Sequence, residues 1–266
     1  MISAKEHTFV VPAYKDSPHL TRCIESLLEQ TVPTHILIAT STPSDYIKTT
    51  AARYQVPYFV SDAASSIAGD WNFAMNQATT RYVTIAHQDD IYNRDFAKEV
   101  LIKLERFQNK KPLMVFTDYD DLVNGQKRKN SLNAVVKDAL LLPFHLKQAI
   151  RSPFVKKSVL ALGNSICCPS VTLDRQHING MQFSPQYTCV LDWVAWLTLA
   201  KQEGAFIFIN KRLVQHRIHI DSETTNQIKI GKRQQEEQAV LQSVWGQTLG
   251  GLIAKLYSRG LSDNKV

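Results

Sequence analysis

Over its first ~120 residues the chain alternates short β-branched apolar runs with stretches whose apolar residues recur at helical spacing. That alternation restricts it to α/β folds with a largely parallel central sheet. Thr8–Pro12 reads as the first strand. Ser17 and Pro18 then read as N-cap and first position of a helix whose stripe is Leu20, Cys23, Ile24, Leu27 and Leu28. A second strand is expected at His35–Thr40, a second helix at Ser44–Tyr54, a third strand at Tyr58–Val60 and a third helix at Ile67–Ala78. Tyr82–Ala86 is apolar apart from Thr84, so it should be a central, buried strand. Asn93 is expected to cap a helix running to Phe107, ahead of a fifth strand at Leu113–Thr117. Beyond it the pattern gives a possible helix at Ala134–Leu142, a strand at Ser170–Leu173 and a Trp- and Leu-rich helix at Leu191–Lys201. Ala205–Ile209 and Leu213–Ile220 read as two extended pieces. Arg233–Tyr257 reads as a terminal helix weakened by Gly246, Gly250 and Gly251.

Composition narrows the class. A chain of 266 residues, 44% hydrophobic and 21% charged, can bury a core without disulfide staples. No apolar run approaches the roughly 20 residues of a spanning helix. The polar N-terminus with Glu6 does not read as a signal peptide. The four cysteines show no C-x-x-C spacing, and Cys167 and Cys168 are adjacent, so they read as buried thiols of a cytoplasmic protein. The charge is uneven. Residues 122–162 hold eight bases (Lys127, Arg128, Lys129, Lys137, Lys147, Arg151, Lys156, Lys157) against one acid, Asp138, an excess equal to the whole net charge of +7. Such a block points to an anionic partner or to a solvated face. Only Phe144 and Phe154 interleave it, too few aromatics for a single-strand nucleic-acid platform, so no nucleic-acid partner is expected.

In open α/β sheets the ligand lies beyond the carboxyl ends of the strands. Those ends read Pro12-Ala13-Tyr14, Thr40-Ser41-Thr42, Ser61-Asp62, His87-Gln88-Asp89-Asp90 and Asp118-Tyr119-Asp120-Asp121. Two adjacent carboxylates after a buried strand need neutralising, and a hard divalent cation, Mg²⁺ or Mn²⁺, suits them. Helix-capping acids in a turn are the plainer alternative. Asp192 opens an otherwise apolar helix, as an N-cap or as a chemical group. In an extended segment 213–224, Arg217 and His219 share a face, which suits a diphosphate and its metal.

Together these pieces resemble family-2 glycosyltransferases of the GT-A fold. The strand ending Val-Pro-Ala-Tyr and its Leu…Cys-Ile-Glu-Ser-Leu-Leu-Glu-Gln helix, within 8–31, are similar to that family's opening. His-Gln-Asp-Asp-Ile-Tyr at 87–92 resembles its Asp-x-Asp metal motif. Leu-Asp-Trp at 191–193 resembles the Glu-Asp motif that carries the catalytic base, and Arg-Ile-His-Ile-Asp-Ser-Glu-Thr at 217–224 resembles its C-terminal segment. The likeness covers roughly residues 7–225. The chain departs from the pattern at His87, where an acid is usual, at the non-acidic end of the second strand, at Trp71, where an Arg is common, and at Leu191 for Glu.

The resemblance implies a GT-A fold, a mostly parallel sheet flanked by helices, and inverting transfer of a sugar from a nucleotide-diphosphate donor to a hydroxyl. Asp192 would be the base. A Mn²⁺ or Mg²⁺ ion would sit on Asp89 with His219, and Arg217 would bind the donor phosphates. Pro12, Ala13, Tyr14, Thr40 and Ser41 would line the base and ribose pocket, with Asp70, Asn72, His87 and Gln88 facing ribose or sugar. It implies a glycosyltransferase domain over 1–225, divided into a nucleotide-sugar half (1–121) and an acceptor half (122–225), followed by a helical extension at 226–266. The acceptor would be a glycan or lipid-linked glycan in cell-surface polysaccharide synthesis. Residues 122–162 would touch the inner face of the membrane. A non-catalytic sugar-nucleotide-binding protein is the alternative. A nucleotidyltransferase is another, although residues 12–17 lack the glycines of a phosphate loop.

Overall fold

The computed structural model describes residues 2–123, 125–128, 132–218 and 231–261, with the side chains of 132–134 and 256–261 excepted. Strands β1 (His7–Pro12), β2 (His35–Thr40), β3 (Tyr58–Val60) and β4 (Tyr82–Ile85) alternate with helices α1 (Leu20–Leu28), α2 (Asp45–Arg53) and α3 (Ile67–Gln77). Then come β5 (Ile91–Tyr92), α4 (Phe96–Phe107), β6 (Pro112–Val123), β7 (Gln126–Lys127), α5 (Leu132–Leu140), α6 (Leu142–Leu146), β8 (Ala149–Ile150) and α7 (Pro153–Ser158). The chain continues through β9 (Val171–Asp174), α8 (Leu191–Ala200), β10 (Ala205–Ile218), α9 (Lys232–Trp245) and α10 (Gln247–Leu261).

Among the described residues the strands form one sheet in the order β3-β2-β1-β4-β9-β6-β10-β5, with β7 on β6 and β8 on β10. The first four are mutually parallel, as are β6 and β10, while β9 runs antiparallel between β4 and β6. Period-two alternation sends Val10, Val83, Phe116 and Phe208 to one face and Phe9, Tyr82, Val115 and Ile207 to the other. α1, α2 and α4 cover the second face, and α3, α8 and α9 the first. The result is three layers with a core on each side of the sheet. β4 is buried throughout, as a central strand must be.

Several expected boundaries move. α1 begins at Leu20, not after Ser17, because the Ser17 hydroxyl donates to Asp89 at 2.7 Å and leaves the turn 17–19 outside the helix. α4 begins at Phe96. Residues 91–92 join the edge of β10, and Asn93 caps only a turn, its side chain accepting from Asp95 N–H at 3.0 Å. β6 runs six residues past Thr117 because β10 pairs with it throughout. β10 is itself one strand with register shifts between Ile209 and Val214, rather than two pieces. The terminal helix is two helices. Gly246, at φ 81°, ends α9, and at Gly250 a side chain would collide with the α9 backbone, 2.5 Å from Gln242 Cα.

Among the described residues of the basic block only Lys156 is buried; Arg128 and Lys137 are half-buried, and Lys127, Lys147, Arg151 and Lys157 are exposed. Lys156 is fully buried and donates to the carbonyls of Gln202 and Gly204 at 2.7 and 2.8 Å; burial, then Arg151, brings its ammonium down to about 8. Lys127 pairs with Asp120, Arg151 with Glu203, and Lys137 bonds the Tyr119 hydroxyl. Lys129 lies outside the described residues.

Candidate functional site

Parallel pairing of β1 with β4 sets the loop after Pro12 beside the loop after Ile85. There the Gln88 amide behaves like an extra strand residue. It accepts from Tyr14 N–H and donates to Tyr14 carbonyl oxygen, both at 3.0 Å. Pro12 and Ala13 are buried, and Ala13 N–H donates to Ala39 at 2.8 Å, so only Tyr14, 40% exposed, presents a side chain to solvent at this strand end. At the next strand end Thr40 is buried and accepts from Thr42 N–H at 3.0 Å, while the buried Ser41 hydroxyl meets no partner among the described residues.

The end of β10 is strapped to the acidic loop. Asp90, 1% exposed, accepts from Arg217 N–H at 2.8 Å and lies 3.2 Å from His216 Nδ1. Arg217 Nε donates to the Asp89 carbonyl at 2.9 Å. Burial favours the neutral form of Asp90, but the charge and hydrogen bond of His216, then His87 and Arg217 N–H, outweigh it and hold the carboxyl below its ordinary range. In His216 the balance is mirrored: burial opposes the charged ring, and Asp90 overcomes it and raises its pKa. Asp90 therefore serves the frame, which leaves Asp89, half-buried with Ser17 on one oxygen, as the carboxylate at the surface of this loop.

His87 stacks on Trp71 with ring centroids 4.8 Å apart, and its buried Nε2 meets no partner among the described residues. Burial lowers its pKa to about 4, so the ring is neutral at pH 7. An uncharged imidazole thus stands where the family usually has an acid. Two further expected donor contacts point elsewhere. The Asn72 amide is committed to both backbone groups of Phe183, at 2.9 and 2.8 Å, and Asp70 accepts from Ser65 at 3.0 Å. His219 lies outside the described residues.

Asp192 stands at the second position of α8, not at its N-cap, which is Val190. Its oxygens accept from Trp193 N–H at 2.8 Å and Asn164 Nδ2 at 2.7 Å. Burial raises its pKa, only partly offset by those two donors and by the charges of Arg233 and Lys137. The antiparallel β9 begins at the end where β4 finishes, and so carries residues 164–170 to the same side. Cys167, in that segment, is acted on by the same groups. Burial first, then Asp90, Asp121 and Asp192, raise its thiol, with Lys137 opposing. Ser17, Trp71, Asn164, Lys137 and His216 contact or act on these candidate residues and carry no site signal of their own in the sequence. Ser17, five residues beyond a strand end, was the most findable of them.

Among the described residues no group of three or more His, Cys, Asp or Glu is arranged to hold a metal. Asp89 supplies one hard oxygen donor. That suits a Mg²⁺-type ion, which is commonly held by one or two carboxylates together with substrate phosphates.

The profile described as "Glycosyl transferase family 2" matches residues 8–176. No curated protein sequence matches the chain. Among solved structures, S. aureus TarS 1–349 in complex with UDP-GlcNAc superposes with a TM-score of 0.66 at 12% identity, covering 98% of this chain and 73% of that one. The mannosyltransferase PcManGT from Pyrobaculum calidifontis, in complex with GDP-Man and Mn²⁺, gives 0.60 at 11%, covering 98% and 76%. The glucosyl-3-phosphoglycerate synthase of Mycobacterium tuberculosis, in complex with Mn²⁺, UDP-Glc and phosphoglyceric acid, gives 0.54 at 13%, covering 90% and 79%. At these identities the likeness is one of fold, and the fold is GT-A.

Proposed function

The chain belongs to glycosyl transferase family 2, and on that premise we propose that it is an inverting enzyme that moves a sugar from a nucleotide-diphosphate donor to a hydroxyl acceptor, with Asp192 as general base. The observation that carries this reading is the state of Asp192. Its carboxylate is half-buried, held by two neutral donors, and kept more basic than an ordinary aspartate. A base so placed takes the acceptor's proton as the hydroxyl oxygen attacks the anomeric carbon, and the diphosphate leaves from the opposite face. Asn164 and Trp193 N–H fix its orientation. The nucleotide would lie along the strand ends at Tyr14, Thr40, Ser41 and the neutral His87, with Arg217 beside the phosphates. A Mn²⁺ or Mg²⁺ ion, held by Asp89, the donor phosphates and His219, would neutralise charge on the departing diphosphate.

The donor half (1–121) and acceptor half (122–225) would meet at the acidic loop and α8, with 226–266 as an extension. A glycan or lipid-linked glycan acceptor in polysaccharide synthesis at the cytoplasmic membrane face fits the remaining surface. No helix among the described residues is long and apolar enough to cross a membrane. The exposed Lys147 and Lys157 flank Leu146 and Phe154, which are 83% and 81% exposed, a mixture suited to an anionic lipid surface. The deciding experiment is release of nucleoside diphosphate from a panel of UDP-, dTDP- and GDP-sugars, with and without Mn²⁺. Turnover of one nucleotide class supports the reading; binding without turnover of any would leave a sugar-nucleotide-binding protein.

A further inference from the structure

The helix that carries Asp192 has no cap of its own. Its N-cap is Val190, which offers no side-chain acceptor, so the N–H groups of the N-cap and the turn before it need acceptors from elsewhere. One carboxylate supplies them. Glu236 of α9 accepts from Thr188 N–H at 3.0 and 3.1 Å, from Cys189 N–H at 2.8 Å and from Val190 N–H at 3.3 Å. Glu236 is 9% exposed and lies beyond residues 8–176, the part of the chain that the family profile matches. Its own position is fixed on the following turn of α9, where Val240 and Leu241 are buried in the same core as Trp193 and Trp196 of α8. On the turn before, Arg233 and Glu237 pair at 2.8 Å.

We infer that Glu236 is a positioning residue for the base: through three backbone N–H groups it fixes where α8 begins, and so where the Asp192 carboxylate stands. The inference rests on the reading of Asp192 as base. Two physical effects follow from the contact. The first is placement, since Asp192 comes two residues after the last bound N–H on a rigid helix, and a shift of about 1 Å at a reacting group costs roughly 10²-fold in rate. The second is charge. A carboxylate seated on the N-cap N–H and the two before it lies at the positive end of α8 and opposes its charge; without it that end favours an ionised, weaker base. The other titratable groups that act on Asp192 are Lys137 of α5, Arg233 of α9, and Cys167 and Cys168 before β9.

The test compares wild type, Glu236→Gln and Glu236→Asp in the full chain, with nucleoside-diphosphate release from UDP-, dTDP- and GDP-sugars as the readout. Glu236→Gln is expected to lower kcat by roughly 10- to 100-fold, to leave KM for the sugar nucleotide nearly unchanged, and to move the acid limb of the kcat–pH profile to lower pH. Glu236→Asp keeps the charge but is one methylene short, so it should lower kcat while the limb stays at its wild-type position. A cap that is merely structural would lower the melting temperature and leave the limb in place. Wild-type kcat and limb in Glu236→Gln would overturn the inference; if that variant does not fold, wild-type kcat in Glu236→Asp would do so. Asp192→Asn separates the two readings. If it turns over donor normally, the base assignment has failed; if it is inactive while both Glu236 variants behave as wild type, only the positioning role has failed.

Discussion

The loop 87–90 and the helix start 188–192 each hold a carboxylate against the protein, Asp90 buried and Asp192 half-buried, yet their acidities move in opposite directions. Asp90 is held low because His216 faces it and Arg217 donates to it. Asp192 is raised because burial outweighs its direct partners, Asn164 and Trp193 N–H, which are neutral donors. Burial alone therefore does not decide what a buried acid becomes; the charge of its nearest partner does. An acid given a cation fastens one strand to another, and an acid given only neutral donors keeps its appetite for a proton.

The sharpest way to break this contrast is to remove each charge in turn. Asp192→Asn should lower transfer by about 10²- to 10⁴-fold while nucleotide binding, read by calorimetry, stays unchanged. Asp90→Asn should act on the fold, since removing one partner of a buried pair typically costs ~3–5 kcal/mol; its denaturation midpoint at pH 6 should fall. A stable Asp90→Asn protein with poor transfer would reverse the two roles. The pH dependences should also differ. A base acts ionised, so transfer should decline as pH falls through a value above the ordinary 3.8. The folded pKa of Asp90 lies below 3.8, so its contribution to stability is present above 3.8 and lost as pH falls through the folded value. Urea titrations of wild type and Asp90→Asn between pH 2 and 6 should therefore converge at the acid end.

A smaller effect is expected at Asp89. Asp89→Asn should abolish the extra thermal stabilisation that Mn²⁺ gives a nucleoside diphosphate, up to ~2.7 kcal/mol at a hundredfold excess over Kd; an undiminished metal effect would move the ion elsewhere. Smallest is the surface contact. Lys147→Gln and Lys157→Gln should each weaken binding to anionic vesicles by about 1 kcal/mol, less in salt. The same change at the buried Lys156 should unfold the protein rather than release it.

Residues 1–121 were legible because most of their instructions are local. Ser44 and Ser66 cap the helices they precede, and the β-branched runs became β1, β2 and β4. Contacts that reach across the chain were not, because their instructions are distant. Nothing near Asn72 says that its amide will clasp Phe183, 111 residues away. Nothing near Lys156 says that it will close two carbonyls in the core, so charge counting took it for a surface base. Of the candidate site, Asp192 and Asp89 were readable as acids at element ends. Asn164, a loop residue, carries no such pattern, and Ser17 was read as a helix cap because a cap and a carboxylate donor want the same hydroxyl.

The sheet order also dictates a sequence of events at synthesis. β4 is finished at Ile85, yet the strand that covers its second edge begins at Val171, and Thr84 waits for Thr172, 88 residues later. At bacterial or eukaryotic translation speeds of roughly 5–20 residues per second, that edge stays open for several seconds. Its residues are Tyr, Val, Thr and Ile, the composition of a self-pairing segment. The central strand of the finished enzyme is thus the sticky edge of the nascent one, and a ribosome stall between the two strands should send the chain into aggregates before any catalytic group exists.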